Sequence, residues 1–244
     1  MKETWQKADQ EYYLFPDLTV PETVPQMHLR IITRNAHNDS HKKRRTKRGI
    51  KLKRGLDIFI SLIVVIFFLP WIFLFAGIFI KLESKGPVLF KQLRSGKNNK
   101  LFWCYKFRTM IVNDESNVLQ ATRTDKRITR VGRLLRKTSI DEFPQFLNVL
   151  KGDMSLVGPR PHMPKLDEVY APLIENYMER LNVKQGLTGW AQVNGFRGET
   201  IDTIFMERRI EHDIWYLENW SFWLDIKIIF STLFLFFKNN QNAY

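Results

Sequence analysis

A short central stretch of the sequence concentrates carboxylates, cations and prolines. Asp141 and Glu142 are adjacent, Arg136 precedes them, and Gly158-Pro159-Arg160-Pro161 follows. An arginine between prolines is held stiffly, and its guanidinium can bind a phosphate through two parallel hydrogen bonds. A carboxylate can bind Mg²⁺ together with substrate phosphates, or can attack phosphorus and form an acyl phosphate. These residue types together are typical of phosphoryl chemistry.

The Asp-Glu pair also has a purely structural interpretation. Ser139 could cap a helix that begins beside Asp141 and Glu142, where both carboxylates would favour the positive end of the helix. The sequence has no lysine-containing phosphate loop, no dinucleotide-binding glycine fingerprint and no metal-ligand spacing among its five histidines. The single cysteine, Cys104, excludes an internal disulfide and a cysteine zinc cluster, and is interpreted as a small buried hydrophobic residue.

The charge balance indicates an anionic partner. The 244 residues include 38 Lys and Arg against 25 Asp and Glu, a formal net charge of +13. Nucleic acid, phosphorylated substrates and anionic lipid all fit such an excess. A basic run over residues 41–54 lies directly before an apolar segment, which favours lipid over nucleic acid.

The apolar segment covers residues 58–80 and contains no charged side chain. A straight helix of that length would reach about 35 Å, enough to cross the hydrocarbon core of a bilayer. Pro70 lies near its middle and removes a backbone hydrogen bond, so a bend is expected. Both flanks are basic, and positive flanks stay in the cytoplasm. We therefore predict a re-entrant hairpin, rather than a plain transmembrane helix, that enters and leaves on the cytoplasmic face.

The remaining sequence predicts a small α+β domain that is mostly helical. Hydrophobic patterning predicts strands at 88–92 and 102–107, and helices at 127–136, 139–151, 164–181 and 201–217. The apolar stretch 226–237 is too short to span a bilayer, so it is either a core helix or an interfacial one. Trp220 and Trp223, just before it, favour the interface. The predicted domains are a polar and basic tail at 1–49, the re-entrant helix at 50–81 and a catalytic domain at 82–244.

Ordered sequence blocks over about residues 50–244 resemble the bacterial sugar transferase family, the monotopic phosphoglycosyl transferases. The blocks include Lys53-Arg54-x-x-Asp57, Tyr105-Lys106-Phe107-Arg108-Thr109-Met110, Thr138-Ser-Ile-Asp-Glu-Phe-Pro-Gln145, Gly158-Pro-Arg-Pro161 and Gly186-Leu-Thr-Gly-Trp-Ala-Gln-Val-Asn194. The helix break of the family is usually Ser-Pro, whereas this chain has Leu69-Pro70. The proline is therefore retained, and the hydrogen bond of the serine is not.

The resemblance implies a monotopic membrane protein with a proline-broken re-entrant hairpin at Pro70, a compact catalytic domain and interfacial amphipathic helices. It also implies transfer of a sugar 1-phosphate from a UDP-sugar to undecaprenyl phosphate, with Mg²⁺ and release of UMP. Asp141 would carry the phosphosugar and Glu142 would hold the metal. The implied phosphate- and substrate-binding residues are Arg136, Arg160, Lys53, Arg54 and Arg108.

The C-terminal blocks Gly189–Thr200 and Asn242-Ala-Tyr244 resemble family members that transfer glucose 1-phosphate in exopolysaccharide assembly. Glucose 1-phosphate is therefore the first expectation and galactose 1-phosphate the second. The implied location is the bacterial inner membrane, with the catalytic domain on the cytoplasmic face, membrane lipids as partners and no nucleic acid. A homodimer is left open. Two rival functions remain: a membrane phosphohydrolase that uses the same aspartate, and a non-enzymatic protein that binds anionic lipid or nucleic acid.

Overall fold

The computed structural model describes residues 46–112, 122, 125–198 and 202–237. Most of these residues are helical, which confirms the predicted class. The α-helices, in chain order, are α1 Lys47–Ile63, α2 Leu69–Glu83, α3 Arg130–Lys137, α4 Gln145–Lys151, α5 Pro164–Tyr170, α6 Trp190–Val193, α7 Thr203–Asn219 and α8 Phe222–Phe237. The strands are β1 Leu89–Ser95, β2 Leu101–Phe107, β3 Ser155–Val157 and β4 Gly186–Thr188.

Helices α1 and α2 form one long apolar helix. Together they extend from Lys47 to Glu83, 37 residues, and are long and apolar enough to cross a membrane by length and composition. A π-helical turn, Val64–Phe68, joins them and lies directly before Pro70. Proline has no N–H to donate to the carbonyl four residues earlier, and π-helical turns are among the known causes of helix kinks. The regular α-helical pattern is therefore interrupted where the sequence predicts it.

The first arm, α1, is bound to the folded domain by its polar residues. The buried Asp57 carboxylate accepts hydrogen bonds from the Leu156 backbone N–H at 3.0 Å and from the Ser155 hydroxyl at 2.9 Å, both in β3. The Arg54 guanidinium donates to the carbonyls of Val149 and Leu150, at 2.7 and 2.9 Å. Those carbonyls belong to the last turn of α4, where a cation favours the negative end of the helix.

The second arm, α2, packs against the same domain. Ala76 and Ile80 are buried in a cluster with Phe107 of β2 and Leu135 of α3. The Glu83 carboxylate, at the end of α2, accepts hydrogen bonds from the first backbone N–H groups of α3, Arg130 at 2.7 Å and Val131 at 2.8 Å. Both arms of the apolar helix therefore rest on one folded unit.

Two small sheets carry the rest of the core. Strands β1 and β2 form an antiparallel hairpin with Leu89 opposite Phe107 and Ser95 opposite Leu101, close to the predicted strands. Strands β3 and β4 pair in parallel, with Ser155 opposite Gly186. The sequence does not predict this second pair, because three-residue strands carry too short a pattern to recognise.

Two predicted helices are interrupted. The helix expected at 139–151 is a 3₁₀ turn at Ile140–Glu142 followed by α4, with Pro144 between them. The helix expected at 164–181 ends at Tyr170 and is followed by a 3₁₀ helix at Tyr177–Asn182. Pro172 disfavours continuation of α5, and Asn176 adopts a left-handed conformation with φ of 59°.

Helix α8 begins earlier than the predicted stretch 226–237 and has two different faces. Asp225 and Ile228 are buried in the core, whereas Trp223, Phe230 and Phe234 are exposed. One face of α8 therefore packs in the core. Its other face is apolar and exposed, so an interfacial position of α8 stays a prediction.

Candidate active site

The Asp-Glu pair lies on a tight turn between α3 and α4. Ser139 has a left-handed backbone with φ of 54°, and the turn Ile140–Glu142 follows it. Ser139 occupies the N-cap position that the structural interpretation gave it, but its side chain accepts no hydrogen bond from a backbone N–H of the turn. Its hydroxyl instead accepts one from Arg197 at 2.7 Å. Asp141 and Glu142 are each only 7% exposed. Burying two adjacent carboxylates is costly unless cations compensate them.

Three cations surround the Glu142 carboxylate. The Arg160 guanidinium donates to both oxygens, at 2.5 and 3.3 Å. Lys106, from β2, lies 3.1 Å from one oxygen and Arg197 lies 3.5 Å from the other. Burial opposes ionisation of Glu142, but Arg160, Lys106 and Arg197 outweigh it and hold the pKa of this carboxyl well below its usual value. Glu142 is therefore a fixed anion that aligns three donors.

Asp141 is in a different environment. Its carboxylate makes no hydrogen bond to the part of the chain that the structure describes. Burial raises its pKa to about 6; Lys106 partly offsets the burial, whereas the neighbouring Glu142 adds to it. Two adjacent carboxylates thus have pKa values displaced in opposite directions, which is typical of groups with separate roles in catalysis.

Arg136, at the end of α3, is directed by Thr109. Its Nε donates to the Thr109 hydroxyl at 2.8 Å, so the two terminal nitrogens remain able to donate to a phosphate. Its positive charge acts on Asp141 and lowers the pKa of that carboxyl. Gly132 allows α3 to lie close to Thr109, because a Cβ at position 132 would collide with the Thr109 carbonyl group.

A buried network holds the backbone at Arg160 and Pro161. The Arg160 carbonyl accepts a hydrogen bond from Arg180, which is fully buried and paired with Asp213 at 3.1 Å. The next carbonyl, of Pro161, accepts one from Arg94 at 3.2 Å. Two arginines therefore fix the segment that presents a third one to Glu142. Arg180 and Asp213 were not predicted, because nothing in their spacing distinguishes them from an ordinary surface pair.

Three of the predicted site residues bond elsewhere. Lys53 contacts Asp225 at 2.7 Å and the Val157 carbonyl at 2.8 Å. Arg54 binds the end of α4, as described above. Arg108 donates to the backbone carbonyls of Ser84 and Lys85, which follow α2. The structure thus brings Arg136 and Arg160 to the carboxylates, while a substrate role for the other three stays a prediction.

Lys106 and Arg197 are the site residues that sequence reasoning missed. Lys106 shares the inner face of the hairpin with the buried Cys104, and a lysine at such a position is a recognisable signal. Arg197 lies between Gly195 and Gly198, both with positive φ, 95° and 102°. Each lies within a sequence block already noted, but only the fold shows that it faces Glu142.

The carboxylates of the site offer few ligands for Mg²⁺. Within the described ranges, no group of three or more His, Cys, Asp or Glu side chains forms a metal cage. Mg²⁺ commonly binds through only one or two carboxylates plus substrate phosphates. Asp141 and Glu142 fit that mode, with the condition that Glu142 exchanges a cationic partner for the ion.

Comparison with known proteins identifies the family of this chain. Residues 48–239 match the family model for bacterial sugar transferases. A Klebsiella pneumoniae UDP-glucose:undecaprenyl-phosphate glucose-1-phosphate transferase is 50% identical over 79% of this chain and 41% of the relative. An Aeromonas hydrophila UDP-N-acetylgalactosamine-undecaprenyl-phosphate N-acetylgalactosaminephosphotransferase is 47% identical over 75% of this chain and 43% of the relative. An exopolysaccharide production protein of Rhizobium leguminosarum bv. phaseoli is 46% identical over 75% of this chain and 93% of the relative.

The chain thus spans about two fifths of the length of the first two relatives, and most of the third. The family model covers well over half of the chain, including the Asp-Glu turn and every cation around it. This chain belongs to the bacterial sugar transferase family.

Proposed function

We propose that this chain transfers a hexose 1-phosphate, glucose 1-phosphate in the first instance, from a UDP-sugar to undecaprenyl phosphate and releases UMP. The observation that carries the proposal is the Asp141 carboxylate, which has no hydrogen-bond partner among the described residues, beside an ion-paired Glu142. A carboxylate whose oxygens are not engaged can serve as a nucleophile. The family membership and the names of the relatives support the substrate class.

The charge balance of the site supports a diphosphate substrate. Four cations, Lys106, Arg136, Arg160 and Arg197, act on two carboxylates. Four positive and two negative charges leave two positive charges uncompensated, and the diphosphate of a UDP-sugar carries two negative charges. Cations placed beforehand also offset the repulsion between a carboxylate and an anionic phosphate during attack.

The proposed reaction has two balanced steps. Asp141 attacks the phosphorus bonded to the sugar, the bond from that phosphorus to the bridging oxygen breaks, and UMP leaves with the electron pair. An oxygen of undecaprenyl phosphate then attacks the same phosphorus, and the Asp141 carboxylate is regenerated. A covalent intermediate separates the water-soluble donor from the lipid acceptor, which need not be bound together.

Mg²⁺ belongs to the proposal as a cofactor. Glu142 would hold it together with the substrate phosphates, and the ion would supply charge neutralisation at the phosphate oxygens. The residues of the chain then orient the donor: Arg136 and Arg160 present guanidinium groups suited to phosphate.

The proposed membrane arrangement is a re-entrant hairpin at the inner membrane with the domain in the cytoplasm. Two observations support it. Polar residues of α1 and the capping carboxylate at the end of α2 bind the same folded unit, and the π-helical turn and Pro70 interrupt the helix between them. A straight crossing would carry the ends of a 37-residue helix about 55 Å apart, toward opposite membrane surfaces.

The sugar and the assembly are also proposals. The Klebsiella relative is named for glucose and the Aeromonas relative for N-acetylgalactosamine, so glucose is preferred over galactose or an acetamido sugar. A homodimer is kept as an open proposal. The relative named for exopolysaccharide production supports a role in such a pathway, and transfer of a sugar phosphate to the lipid would be its first membrane step.

The test is UMP release by the purified chain with Mg²⁺, a panel of UDP-sugars and undecaprenyl phosphate. We expect UDP-glucose to give sustained UMP release with the acceptor and about one UMP per enzyme without it. Asp141→Asn should abolish both. Undiminished turnover without the acceptor would instead identify a phosphohydrolase. No UMP from any UDP-sugar, or full activity of Asp141→Asn, would contradict the proposal.

A further inference from the structure

Helix α7 buries an arginine that lies outside the set of cations around Asp141 and Glu142. Arg209 shares the inner face of α7 with Met206, Ile210 and Asp213, and its side chain is only 3% exposed. A fully buried arginine is uncommon, because removing its charge from water costs free energy unless the guanidinium is hydrogen-bonded and paired. The groups that Arg209 binds therefore indicate what it does in this fold.

The Arg209 guanidinium binds the backbone on both sides of Arg197. Its Nε donates to the carbonyl of Phe196 at 3.1 Å, and its Nη2 donates to the carbonyl of Gly198 at 2.9 Å. The guanidinium is planar and presents its N–H groups in a fixed fork, so it also fixes the distance between the two carbonyls that it binds. The backbone of Arg197 lies between those carbonyls, and its place is set by them.

The segment around Arg197 needs such support because its own backbone is weakly constrained. Gly195 and Gly198 have positive φ values of 95° and 102°, and glycine has the largest conformational freedom of any residue. Arg160 is in the opposite situation, because it lies between two prolines whose rings restrict the local backbone. Hydrogen bonds from another element therefore have to do for Arg197 what the prolines partly do for Arg160.

Aromatic packing attaches the same segment to α7. The Phe196 ring lies 4.6 Å from the His212 ring and 5.3 Å from the Phe205 ring, measured between centroids. His212 and Phe205 both belong to α7, and Arg209 lies between them along the helix. Ring contacts and hydrogen bonds from one helix thus act together on the residue directly before Arg197.

The other end of the Arg197 side chain reaches the catalytic turn. Its Nη2 donates to the Ser139 hydroxyl at 2.7 Å and lies 3.5 Å from a Glu142 oxygen. A small displacement of the Arg197 backbone would break these contacts. Catalytic groups that are misplaced by about 1 Å can lose much of their effect on the rate.

We infer that Arg209 is a positioning residue, which holds Arg197 against the catalytic turn through the carbonyls of Phe196 and Gly198. The inference rests on the proposed function, since it names a residue that acts through Arg197 on the step that releases UMP. Arg209 acts on the backbone of Arg197 and needs no contact with the substrate for this role.

The buried carboxylate of Asp213 connects this arrangement to the one behind Arg160. Asp213 pairs with Arg180, whose guanidinium binds the Arg160 carbonyl. Burial raises the pKa of Asp213, whereas the charges of Arg180 and of Arg209 lower it. One carboxylate of α7 therefore offsets the charge of two buried arginines, each of which fixes the backbone of an arginine beside Glu142.

The test compares single and double variants in the burst of UMP from UDP-glucose without acceptor. Arg209→Gln should slow the burst about tenfold, as Arg197→Gln does, because Arg197 loses its place. In the Arg197→Gln chain, however, the additional change Arg209→Gln should slow the burst by no more than about twofold. A residue that only stabilises the fold would slow both backgrounds by the same factor.

Arg209→Lys separates the two hydrogen bonds from the positive charge. A lysine keeps the charge near Asp213, but its single terminal nitrogen does not replace a planar fork that binds two carbonyls, so the burst should remain at least about fivefold slow. Ile210→Ala is the matched control at the next buried position of α7. It creates a cavity under the helix and leaves both hydrogen bonds in place, so the burst should stay within about twofold of wild type.

Hydrogen–deuterium exchange of the peptide that contains residues 194–198 gives a readout that does not depend on activity. This peptide should exchange faster in Arg209→Gln than in Ile210→Ala, and circular dichroism checks that each variant is folded. If Arg209→Gln does not fold, Arg209→Lys takes its place in the double variant with Arg197→Gln.

Three results would each overturn the inference: equal exchange of that peptide in Arg209→Gln and Ile210→Ala, losses that multiply in the double variant, or a full burst rate in Arg209→Lys. A wild-type chain that releases no UMP, together with the expected exchange pattern, would contradict the proposed function and not the placement of Arg197 by Arg209. The two failures are therefore distinguishable.

Discussion

At the scale of single residues, the opposed pKa shifts of Asp141 and Glu142 predict that the proposed reaction depends on pH. Burial raises the pKa of Asp141 to about 6, above its ordinary value, so a larger fraction of this carboxyl is protonated at any given pH. A protonated carboxyl is not a nucleophile. The rate of the UMP burst without acceptor should therefore rise with pH through about 6 and be about tenfold lower at pH 5 than on the plateau.

Measuring the burst without acceptor removes a second titration. The phosphate monoester of the acceptor also titrates near pH 6, whereas the diphosphate of the donor does not. Circular dichroism at pH 5 checks that the fold persists. A burst rate that is flat from pH 5 to 8 would mean that Asp141 is not the titrating nucleophile.

Replacing Arg197 tests whether a neighbouring positive charge sets the pKa of Asp141 and so the midpoint of this pH profile. It binds the Ser139 hydroxyl on the catalytic turn and lies 3.5 Å from Glu142, and its charge lowers the pKa of Asp141. Arg197→Gln should move the midpoint of the burst profile to higher pH and slow the burst roughly tenfold or more at pH 6.5.

Arg197→Lys, which keeps the charge, should restore the midpoint but not the full rate, because a lysine lacks the planar fork. Arg208→Gln, at an exposed position of α7 paired with Glu211, is the matched control and should behave as wild type. An unchanged midpoint in Arg197→Gln would mean that the charge of Arg197 does not affect the pKa of Asp141.

The sequence predicted the type of chemistry at the site better than it predicted which residues form the site. Asp141, Glu142 and Arg160 stand out because adjacent carboxylates lie close in sequence to an arginine held between prolines, and Arg136 was identified through the family resemblance. Lys106 and Arg197 do not stand out, because their approach to Glu142 depends on a hairpin and a glycine-flanked loop that close over a distant segment. Long-range contacts of this kind leave no periodic signal in the chain.

At the scale of elements, the attachment of α1 to the core is a buried polar cluster. Asp225 of α8 is 1% exposed and accepts hydrogen bonds from Lys53 at 2.7 Å, Tyr216 at 2.7 Å and Trp220 at 3.1 Å. Lys53→Met would leave the buried carboxylate without its cation. We expect a loss of about 3 kcal/mol in the free energy of unfolding, since breaking one side of a buried pair is costly.

The matched control is Lys51→Met on the same helix. Lys51 is exposed, and its replacement should change the free energy of unfolding by no more than about 0.5 kcal/mol. Thermal unfolding in detergent compares the two variants, and the single variants Lys53→Met and Asp225→Asn with the double variant measure the coupling between Lys53 and Asp225. Equal stability of Lys53→Met and Lys51→Met would show that the buried cluster around Asp225 does not stabilise the attachment of α1.

Some secondary-structure elements were predicted correctly from the sequence and others were not. The apolar helix and the β1–β2 hairpin follow from hydrophobic runs that are long enough to recognise. The helices predicted at 139–151 and 164–181 break because Pro144, Pro172 and the left-handed Asn176 act locally, against a helical spacing that continues around them. Strands β3 and β4 form only because distant segments meet, and a Cβ on Gly186 would collide with the Gly158 backbone.

At the scale of the whole molecule, the decisive question is on which side of the membrane the two ends of the apolar helix lie. The contacts of Lys53 and Glu83 bind the ends of α1 and α2 to one folded domain, and the proposed UDP-sugar donor requires that domain to lie in the cytoplasm. Cysteines introduced one at a time at positions 48 and 85, in place of an exposed arginine and an exposed lysine, should therefore both react with a membrane-impermeant thiol reagent added from the cytoplasmic side, and the unmodified chain with its buried Cys104 gives the background.

The comparison with a known cytoplasmic site and a known periplasmic site of a marker protein calibrates the labelling. Equal reactivity at 48 and 85 from the cytoplasmic side, with protection from the other side, fits the hairpin. Labelling from opposite sides would exclude it. Either the contact of Lys53 with Asp225 or the contact of Glu83 with α3 would then have to break in the membrane. If the Lys53 contact broke, Lys53→Met would cause no loss of stability in the reconstituted protein.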